Sequence, residues 1–152
     1  MQHHQRGSEG FTLLEILIVV TIIGVLMAVV APRFLGRAEE AKVKLAQVQV
    51  DKIAGTIDLY RLDNGTYPTT DQGLAALVSQ PTSGPQPRRY QAGGYARDKD
   101  LQDPWGGPLV YVAPGAVNTS SFDLCSLGPD GQPGGEGSNA DICNYTTGRR
   151  ES

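Results

Sequence analysis

The chain has 152 residues and a net charge of −3, which leaves room for one modest domain and an extension. Nineteen glycines and ten prolines predict a loop-rich fold with short strands and a small core. The acidic balance, together with the lack of a basic stripe interleaved with aromatic residues, excludes nucleic-acid binding as the expected function.

The first predicted element is an apolar helix at residues 11–31, which follows a short polar segment at residues 1–10. A helix of this length spans roughly 32 Å at about 1.5 Å per residue, close to the hydrocarbon thickness of a bilayer. We therefore predict one transmembrane helix, and Arg6 favours a cytoplasmic N-terminus. A secretory signal peptide is the competing interpretation, but the run exceeds an ordinary signal core and no small-residue cleavage site follows it.

The helix is expected to continue through residues 32–63 as an amphipathic segment. Apolar residues recur there at spacings of three and four, on one face: Val43, Ala46, Val50, Ile53, Ile57 and Tyr60. Asp63-Asn64-Gly65 supplies the stop signal. Residues 64–152 are then predicted to form a globular domain.

The globular domain is predicted to contain small elements joined by loops. Residues 74–78 have the spacing of a short helix, which Thr70 or Asp71 would cap. The segment at residues 103–106 is typical of a turn. Two short apolar runs predict paired antiparallel strands, at Leu109–Val112 and Phe122–Leu124. The expected fold class is α+β, a long N-terminal helix packed on a small C-terminal antiparallel sheet.

The last third of the chain carries carboxylates without cationic partners. No Lys or Arg lies between Lys99 and Arg149. The carboxylates in this interval are Asp100, Asp103, Asp123, Asp130, Glu136 and Asp141. Such groups repel one another unless solvent or a bound cation relieves them, so a solvated acidic face and a cation site are both open. Cys125 and Cys143 lie in the same stretch, and either one disulfide or two free buried thiols would fit.

One carboxylate, Glu15, lies inside the apolar segment. An ionisable residue in a membrane helix costs roughly 2.5–3.5 kcal/mol on insertion scales, and such residues usually have a partner. Glu15 is close enough to the start of the segment to reach the headgroups. Alternatively, because no cation lies one turn away, its partner would come from another copy of the protein.

The residues around Glu15 extend this interpretation. Residues 10–15, Gly-Phe-Thr-Leu-Leu-Glu, resemble the processing site of type IV pilins and their relatives. The resemblance implies that a prepilin peptidase cuts after Gly10, that residues 1–10 are a leader peptide, and that the new N-terminal Phe11 is methylated. It also implies that Glu15 meets the amine of Phe11 on a neighbouring subunit, where the opposite charges would cancel in a low-dielectric bundle.

Catalysis is not expected. The sequence has two histidines, His3 and His4, and both lie in the segment that this processing would remove. Cys125 would then have no histidine partner for thiol chemistry. No phosphate-binding loop or nucleophile-elbow motif occurs either.

Later motifs narrow the resemblance within the pilin-like superfamily. They are Leu59-Tyr60-Arg61-Leu62-Asp63-Asn64, Tyr67-Pro68-Thr69-Thr70, Gln72-Gly73-Leu74, Asp103-Pro104-Trp105-Gly106 and Ser126-Leu127-Gly128-Pro129-Asp130-Gly131. Together they resemble the general secretion pathway protein G family, the major pseudopilins of bacterial type II secretion systems. The resemblance implies a single-pass inner-membrane protein with a periplasmic domain, which polymerises into a periplasmic pseudopilus that helps to export folded proteins. The implied partners are further copies of the chain, minor pseudopilins, the inner-membrane assembly platform, the outer-membrane secretin and the prepilin peptidase.

The same resemblance implies a calcium site in the C-terminal loop, which we define as residues 127–141. Asp130 and Asp141 match carboxylate ligands, Leu127 and Gln132 match positions that ligate through their carbonyls, and Ser138 is a further candidate. Ala140 departs from the family, since some members have an aspartate there; Glu136 or Asn139 is the candidate replacement. Calcium is the only implied cofactor.

The cysteines also depart from the family, because Cys143 stands where relatives often have glycine. A disulfide between Cys125 and Cys143 would hold the two ends of the C-terminal loop. In the chain-entropy account it would stabilise by ~3 kcal/mol, so it would offset a weakened calcium site. Two other functions are weighed beside the pseudopilin: a surface type IV pilin for adhesion or motility, and a monomeric calcium-binding domain tethered to the membrane.

Overall fold

The computed structural model describes residues 11–145, with backbone alone for residues 29 and 31–35. The expected leader and Gly10 of its cleavage site lie outside the described residues. The chain divides into two units, the first ending at Ala38 and the second beginning at Glu39. No helix in the described part of the chain is both long and apolar enough to cross a membrane.

One helix, α1, runs from Leu13 to Asn64 and confirms the prediction of a single continuous helix. In the second unit it buries the predicted apolar face. The fully buried positions are Ala46, Val50, Ile53 and Ile57, with Tyr60 nearly so. Burial of the Val50, Ile53 and Ile57 side chains contributes roughly 1.5–3 kcal/mol each relative to exposure. This half of α1 therefore forms one wall of the core.

The end of α1 is fixed by Asn64 and Gly65. Gly65 has φ 85°, a conformation that favours glycine, and its N–H donates to the carbonyl of Arg61 at 2.7 Å. The buried Asn64 side chain donates to the Tyr60 carbonyl at 2.9 Å and to the Tyr95 hydroxyl at 3.0 Å. Its Oδ1 accepts from the Arg89 N–H at 2.9 Å. The last helical residue thus ties the loop that carries Arg89 and Tyr95 to the helix.

A three-stranded antiparallel sheet forms the other wall. Its strands are β1 (Val110–Val112), β2 (Asp123–Ser126) and β3 (Ile142–Cys143), in the order β1-β2-β3. The first two strands confirm the predicted pair. β3 was not predicted, because two residues are too few to show an alternating pattern.

Short helical segments lie in the connections between α1 and β1 and between β2 and β3. The predicted short helix is α2, Ala75–Val78, and 3-10 turns occur at Asp98–Leu101 and Gly137–Asn139. The predicted cap is wrong, because Leu74 occupies the N-cap of α2 without a side-chain hydrogen bond. The Thr70 hydroxyl instead donates to the Ala113 carbonyl and accepts from the Ala113 N–H, both at 3.0 Å.

The core of the second unit lies between α1, α2 and the sheet. Buried residues outside α1 are Leu74, Ala76, Leu77, Leu109, Tyr111, Phe122, Leu124 and Ile142. Tyr111 donates its hydroxyl to the Pro68 carbonyl at 2.8 Å, and this burial raises the pKa of the phenol. The observed architecture confirms the α+β fold class.

Candidate functional site

The start of α1 carries the first candidate site. The Thr12 hydroxyl accepts the N–H of Glu15 at 3.2 Å, so Thr12 caps the helix and Glu15 lies in its first turn. The sequence Thr-Leu-Leu-Glu has the spacing of a capping box, a signal that the sequence interpretation did not use. A carboxylate at this place also interacts favourably with the positive end of the helix dipole. Within residues 11–145, no hydrogen bond or ion pair involves the Glu15 carboxylate itself.

The first unit exposes its apolar side chains. Every described side chain from Phe11 to Ala28 is exposed, with Phe11 at 79% and Leu13 at 92%. The helix is apolar on all sides here, so no face of it is adapted to water. Gly24 has open space around the position of a Cβ atom, which leaves the backbone accessible to a close neighbour. This segment requires an apolar environment that the described chain does not supply.

The second candidate site is the C-terminal loop, residues 127–141, which connects β2 to β3. Residues 129–139 are exposed. Gly135 has φ 85°, and a Cβ atom there would collide with the Asn139 carbonyl oxygen, so only glycine fits. The Gly134 N–H donates to Asp141 Oδ2 at 2.8 Å, and the Asp141 N–H donates to the Gly134 carbonyl at 3.2 Å. These two bonds fold the loop back on itself.

Only one of the two carboxylate oxygens of Asp141 has a hydrogen-bond partner among the described residues. Its Oδ1 is buried and has no hydrogen-bond partner among the residues described. A buried acceptor without a donor costs about 1–3 kcal/mol, and more when it is charged. The position therefore favours an additional group that offers positive charge or a donor, and a cation is one such group.

The other candidate ligands differ in exposure and in the hydrogen bonds that they make. Asp130 Oδ1 accepts the N–H of Gln132 at 3.1 Å, and Asp130, Gln132 and Ser138 are exposed. No hydrogen bond among residues 11–145 uses the carbonyl oxygens of Leu127 or Gln132. Two carbonyls and an unpaired carboxylate oxygen are ligands of the type that calcium prefers, so the residues fit calcium in kind.

A cluster of charged ligands is absent, however. In the described part of the chain, no group of three or more His, Cys, Asp or Glu residues is arranged to hold a metal ion. Glu136 and Asn139, the candidate replacements at Ala140, are both exposed. A cation in this loop would depend mainly on neutral oxygen ligands, with Asp141 as the buried charge.

Cys125 and Cys143 are joined by a disulfide, with an S–S distance of 2.06 Å. The two residues are directly opposite each other in the β2–β3 pair. The bond therefore lies at the base of the C-terminal loop. A groove of about 490 Å³ borders the same region, with Asp51, Asp141 and Tyr145 among its lining residues.

Two further carboxylates of the acidic stretch are structural. Asp103 Oδ1 accepts the N–H groups of Trp105 at 3.0 Å and Gly107 at 2.8 Å, and its Oδ2 accepts the Ser126 hydroxyl at 2.7 Å. Asp123 accepts the N–H groups of Val117 and Asn118 at 2.8 and 3.0 Å. The acidic stretch thus contains both carboxylates that are hydrogen-bonded within the fold and carboxylates that are exposed.

The pKa values of the carboxylates follow these contacts. Burial would raise the pKa of Asp123, but the backbone donors of the loop at Ala116–Asn118 outweigh it and hold the pKa below its usual range. The side chain of Arg97, followed by that of Lys52, lowers the pKa of Asp100 to about 2. Both carboxylates are therefore ionised at neutral pH.

Comparisons with known proteins agree with this arrangement. The family model described as "Type II secretion system (T2SS), protein G" matches residues 33–145, and that described as "Prokaryotic N-terminal methylation motif" matches residues 5–31. The type II secretion system core protein G of Pseudomonas aeruginosa is 47% identical over 141 residues, which cover 93% of this chain and 97% of that protein. That of Vibrio cholerae is 47% identical over 140 residues, which cover 92% and 93% of the two chains.

A solved structure extends the similarity to the fold. It is the crystal structure of the major pseudopilin from the type 2 secretion system of enterohaemorrhagic Escherichia coli, with 42% identity and a TM-score of 0.64. The match covers 78% of this chain and 94% of that chain. The likeness therefore includes nearly the whole of that structure.

Proposed function

The chain belongs to the type II secretion system protein G family and is a major pseudopilin, and we propose that it polymerises through its N-terminal helix into a pseudopilus that helps to export folded proteins. This function is favoured over a surface type IV pilin and over a tethered monomeric domain. The chain is a structural component of its secretion system. The observation that carries the assembly proposal is the uniformly exposed apolar helix with one carboxylate, Glu15, in its first turn.

Maturation is the first step of the proposal. A prepilin peptidase cuts after Gly10, which removes the leader at residues 1–10 and creates a free amine on Phe11. Methylation then adds a methyl group to that amine. The N-terminal methylation motif at residues 5–31 supports this step.

The membrane position follows from the same segment. Residues 11–31 anchor the chain in the inner membrane as a single pass, with the N-terminus in the cytoplasm. Residues 32–63 continue the helix, and residues 64–152 form the periplasmic domain. Residues 11–31 would remain in the lipid bilayer until assembly replaces their lipid contacts with contacts to other copies.

The role of Glu15 is electrostatic. A lone carboxylate in a bundle of apolar helices is expensive, whereas a carboxylate paired with the Phe11 amine of the next copy has its charge cancelled. The pairing would favour one axial register between neighbouring helices. Minor pseudopilins, the assembly platform and the outer-membrane secretin are the further partners in the proposal.

Substitution at Glu15 tests the assembly proposal. Glu15→Leu should leave the chain inserted and processed, but pseudopilus formation should fall below detection in cross-linking and electron microscopy. Glu40→Leu is the matched control, because Glu40 is an exposed carboxylate of the same helix outside residues 11–31. Normal filaments from Glu15→Leu would contradict the proposed pairing and would favour a role for Glu15 at the headgroups.

We also propose that the C-terminal loop binds calcium. Asp130 and Asp141 would contribute carboxylate oxygens, Leu127 and Gln132 carbonyl oxygens, and Ser138 its hydroxyl. Glu136 or Asn139 would complete the set where Ala140 offers no side-chain ligand. The bound ion would supply the positive charge that the buried Asp141 Oδ1 lacks. Its role in this proposal is to order the loop.

A further inference from the structure

We propose that the Cys125–Cys143 disulfide and calcium binding by the C-terminal loop are reciprocally coupled. The bond strengthens calcium binding, and bound calcium protects the bond against reduction. The inference rests on the proposed calcium site. It makes the order of the loop depend on two conditions, an oxidising environment and available calcium.

The geometry places both constraints on the same segment. β3 has only two residues, and its register pairs Cys125 with Cys143 and Ser126 with Ile142. Leu127 and Asp141, the first and last residues of the loop, thus directly follow and precede the Ser126–Ile142 pair. The disulfide fixes the separation of the two strands from which these candidate ligands project.

Little else orders the loop. Its residues 129–139 are exposed, so it contributes no apolar core. The hydrogen bonds within it are the two between Gly134 and Asp141 noted above, one from the Gln132 N–H to Asp130, and two backbone bonds of 3.2 and 3.4 Å at the 3-10 turn Gly137–Asn139. A loop with so few internal contacts must lose conformational freedom when it wraps a cation. Prior closure of its base by the disulfide reduces that loss, which raises calcium affinity.

The sheet does not depend on the disulfide alone, so the reduced state can be studied as a folded protein. The Asn144 N–H donates to the Leu124 carbonyl at 2.9 Å, and Asn144 Oδ1 accepts the Leu124 N–H at 2.9 Å. Asn144 Nδ2 also donates to the Phe122 carbonyl at 3.1 Å. Asn144 therefore clamps the chain after β3 to β2, and reduction should loosen the loop while the sheet persists.

Coupling between two equilibria is symmetrical. If the disulfide lowers the calcium dissociation constant by a given factor, saturating calcium must shift the dithiol–disulfide equilibrium towards the disulfide by the same factor. We expect a factor of at least about tenfold, which corresponds to about 30 mV for a two-electron couple. Equal factors in the two equilibria distinguish coupling from two independent stabilising features.

The redox step is an ordinary thiol–disulfide exchange. One thiolate of dithiothreitol attacks a sulfur of the Cys125–Cys143 bond and forms a mixed disulfide, and the second thiolate closes the oxidised reagent. Two electrons and two protons pass from the reagent to the protein, which leaves two cysteine thiols. Reoxidation reverses these transfers with a disulfide-bearing oxidant.

The first measurement is calcium affinity, by isothermal titration calorimetry of the full mature chain in detergent. The oxidised chain, the chain reduced with dithiothreitol, and a Cys125→Ser, Cys143→Ser double variant are compared. The dissociation constant should rise at least about tenfold in the last two. If the double variant does not fold, the reduced wild-type chain gives the same comparison without a substitution.

The second measurement is the redox equilibrium, by thiol alkylation and mass spectrometry at graded ratios of reduced to oxidised dithiothreitol. Saturating calcium should shift the midpoint towards the disulfide by the factor found in the calorimetry. Asp141→Asn should abolish this shift. Asp71→Asn, which removes an exposed carboxylate outside the loop, should preserve it.

The outcomes separate the coupling from the calcium site itself. Equal calcium affinity in the oxidised and reduced chains would overturn the coupling and leave the calcium site intact. Undetectable calcium binding by the oxidised chain would overturn the calcium site, and the coupling with it, without affecting the assembly proposal. Unequal factors in the two measurements would also contradict the coupling, because the cycle would not close.

Discussion

The two units of the chain treat apolar side chains in opposite ways. All described side chains from Phe11 to Ala28 are exposed, although nearly all are apolar. Beyond Glu39 helix α1 buries one face, with Ile53 and Ile57 inaccessible to solvent. The second unit thus completes its own core, whereas the first leaves its apolar side chains exposed. A single helix joins a unit with its own core to the segment that we propose mediates assembly.

The apolar content of a segment therefore does not show whether that segment stabilises the monomer or takes part in association. A substitution in the second unit should change the free energy of unfolding of the monomer. A substitution in the first should change association and leave that free energy unaltered.

Truncation of the core should give the largest effect. Ile57→Ala removes a fully buried side chain, so the free energy of unfolding of the second unit should fall by about 2–5 kcal/mol. Leu17→Ala removes a similar volume from a side chain that is 63% exposed, so monomer stability should not change. Urea unfolding followed by circular dichroism at Tyr and Trp wavelengths measures both. Equal losses would show that the first unit contributes to the monomer fold and would break the distinction.

A smaller effect is expected at the satisfied carboxylate Asp103. Asp103→Ala leaves the N–H groups of Trp105 and Gly107 without their acceptor, so stability should fall by about 2–4 kcal/mol. Asp103→Asn retains one acceptor oxygen, and the Ser126 hydroxyl can turn to accept, so the loss should be about half as large. Thermal unfolding of the two variants distinguishes the cases. Equal losses in the two variants would indicate that the charge of Asp103, not its acceptor oxygen, matters.

The smallest effect concerns pH. The folded pKa of Asp100, about 2, lies below the ordinary value of 3.8. Its contribution to stability is therefore complete above the unfolded pKa and is lost as pH falls from about 4 towards 2. Asp100→Asn should flatten the acid limb of a stability–pH curve, whereas Asp98→Asn, at an exposed neighbour, serves as the control. An unchanged acid limb in Asp100→Asn would show that its contacts with Lys52 and Arg97 are fully screened.

Much of the fold could be predicted because it follows periodic patterns. The positions from Ala46 to Tyr60 recur at helical spacing, and the two longer strands are apolar runs of ordinary length. β3 could not be found, because two residues are too few to show an alternating pattern. The predicted helix cap at Thr70 is wrong because that hydroxyl bonds to Ala113, a contact distant in sequence.

The candidate sites were predictable only in part. Glu15 is conspicuous in an apolar run, and the sequence also shows the carboxylates of the C-terminal loop and the two cysteines that flank it. Composition could not separate Asp103, whose two oxygens are both satisfied, from Asp141, which has one unpaired buried oxygen. Residues of the same type have different roles here because the turn after Asp103 and the Ser126 hydroxyl supply donors to both Asp103 oxygens. The Gly134 N–H reaches only one oxygen of Asp141.

Assembly through Glu15 requires a mature N-terminus that is created at Gly10-Phe11 and is available to pair with Glu15. Intact-mass and fragment-ion mass spectrometry of the chain purified from membranes tests this most directly. We predict a chain that lacks residues 1–10 and begins with methylated Phe11. A chain that retains Met1 would contradict the processing, the charge pairing and the assembly that follows from them.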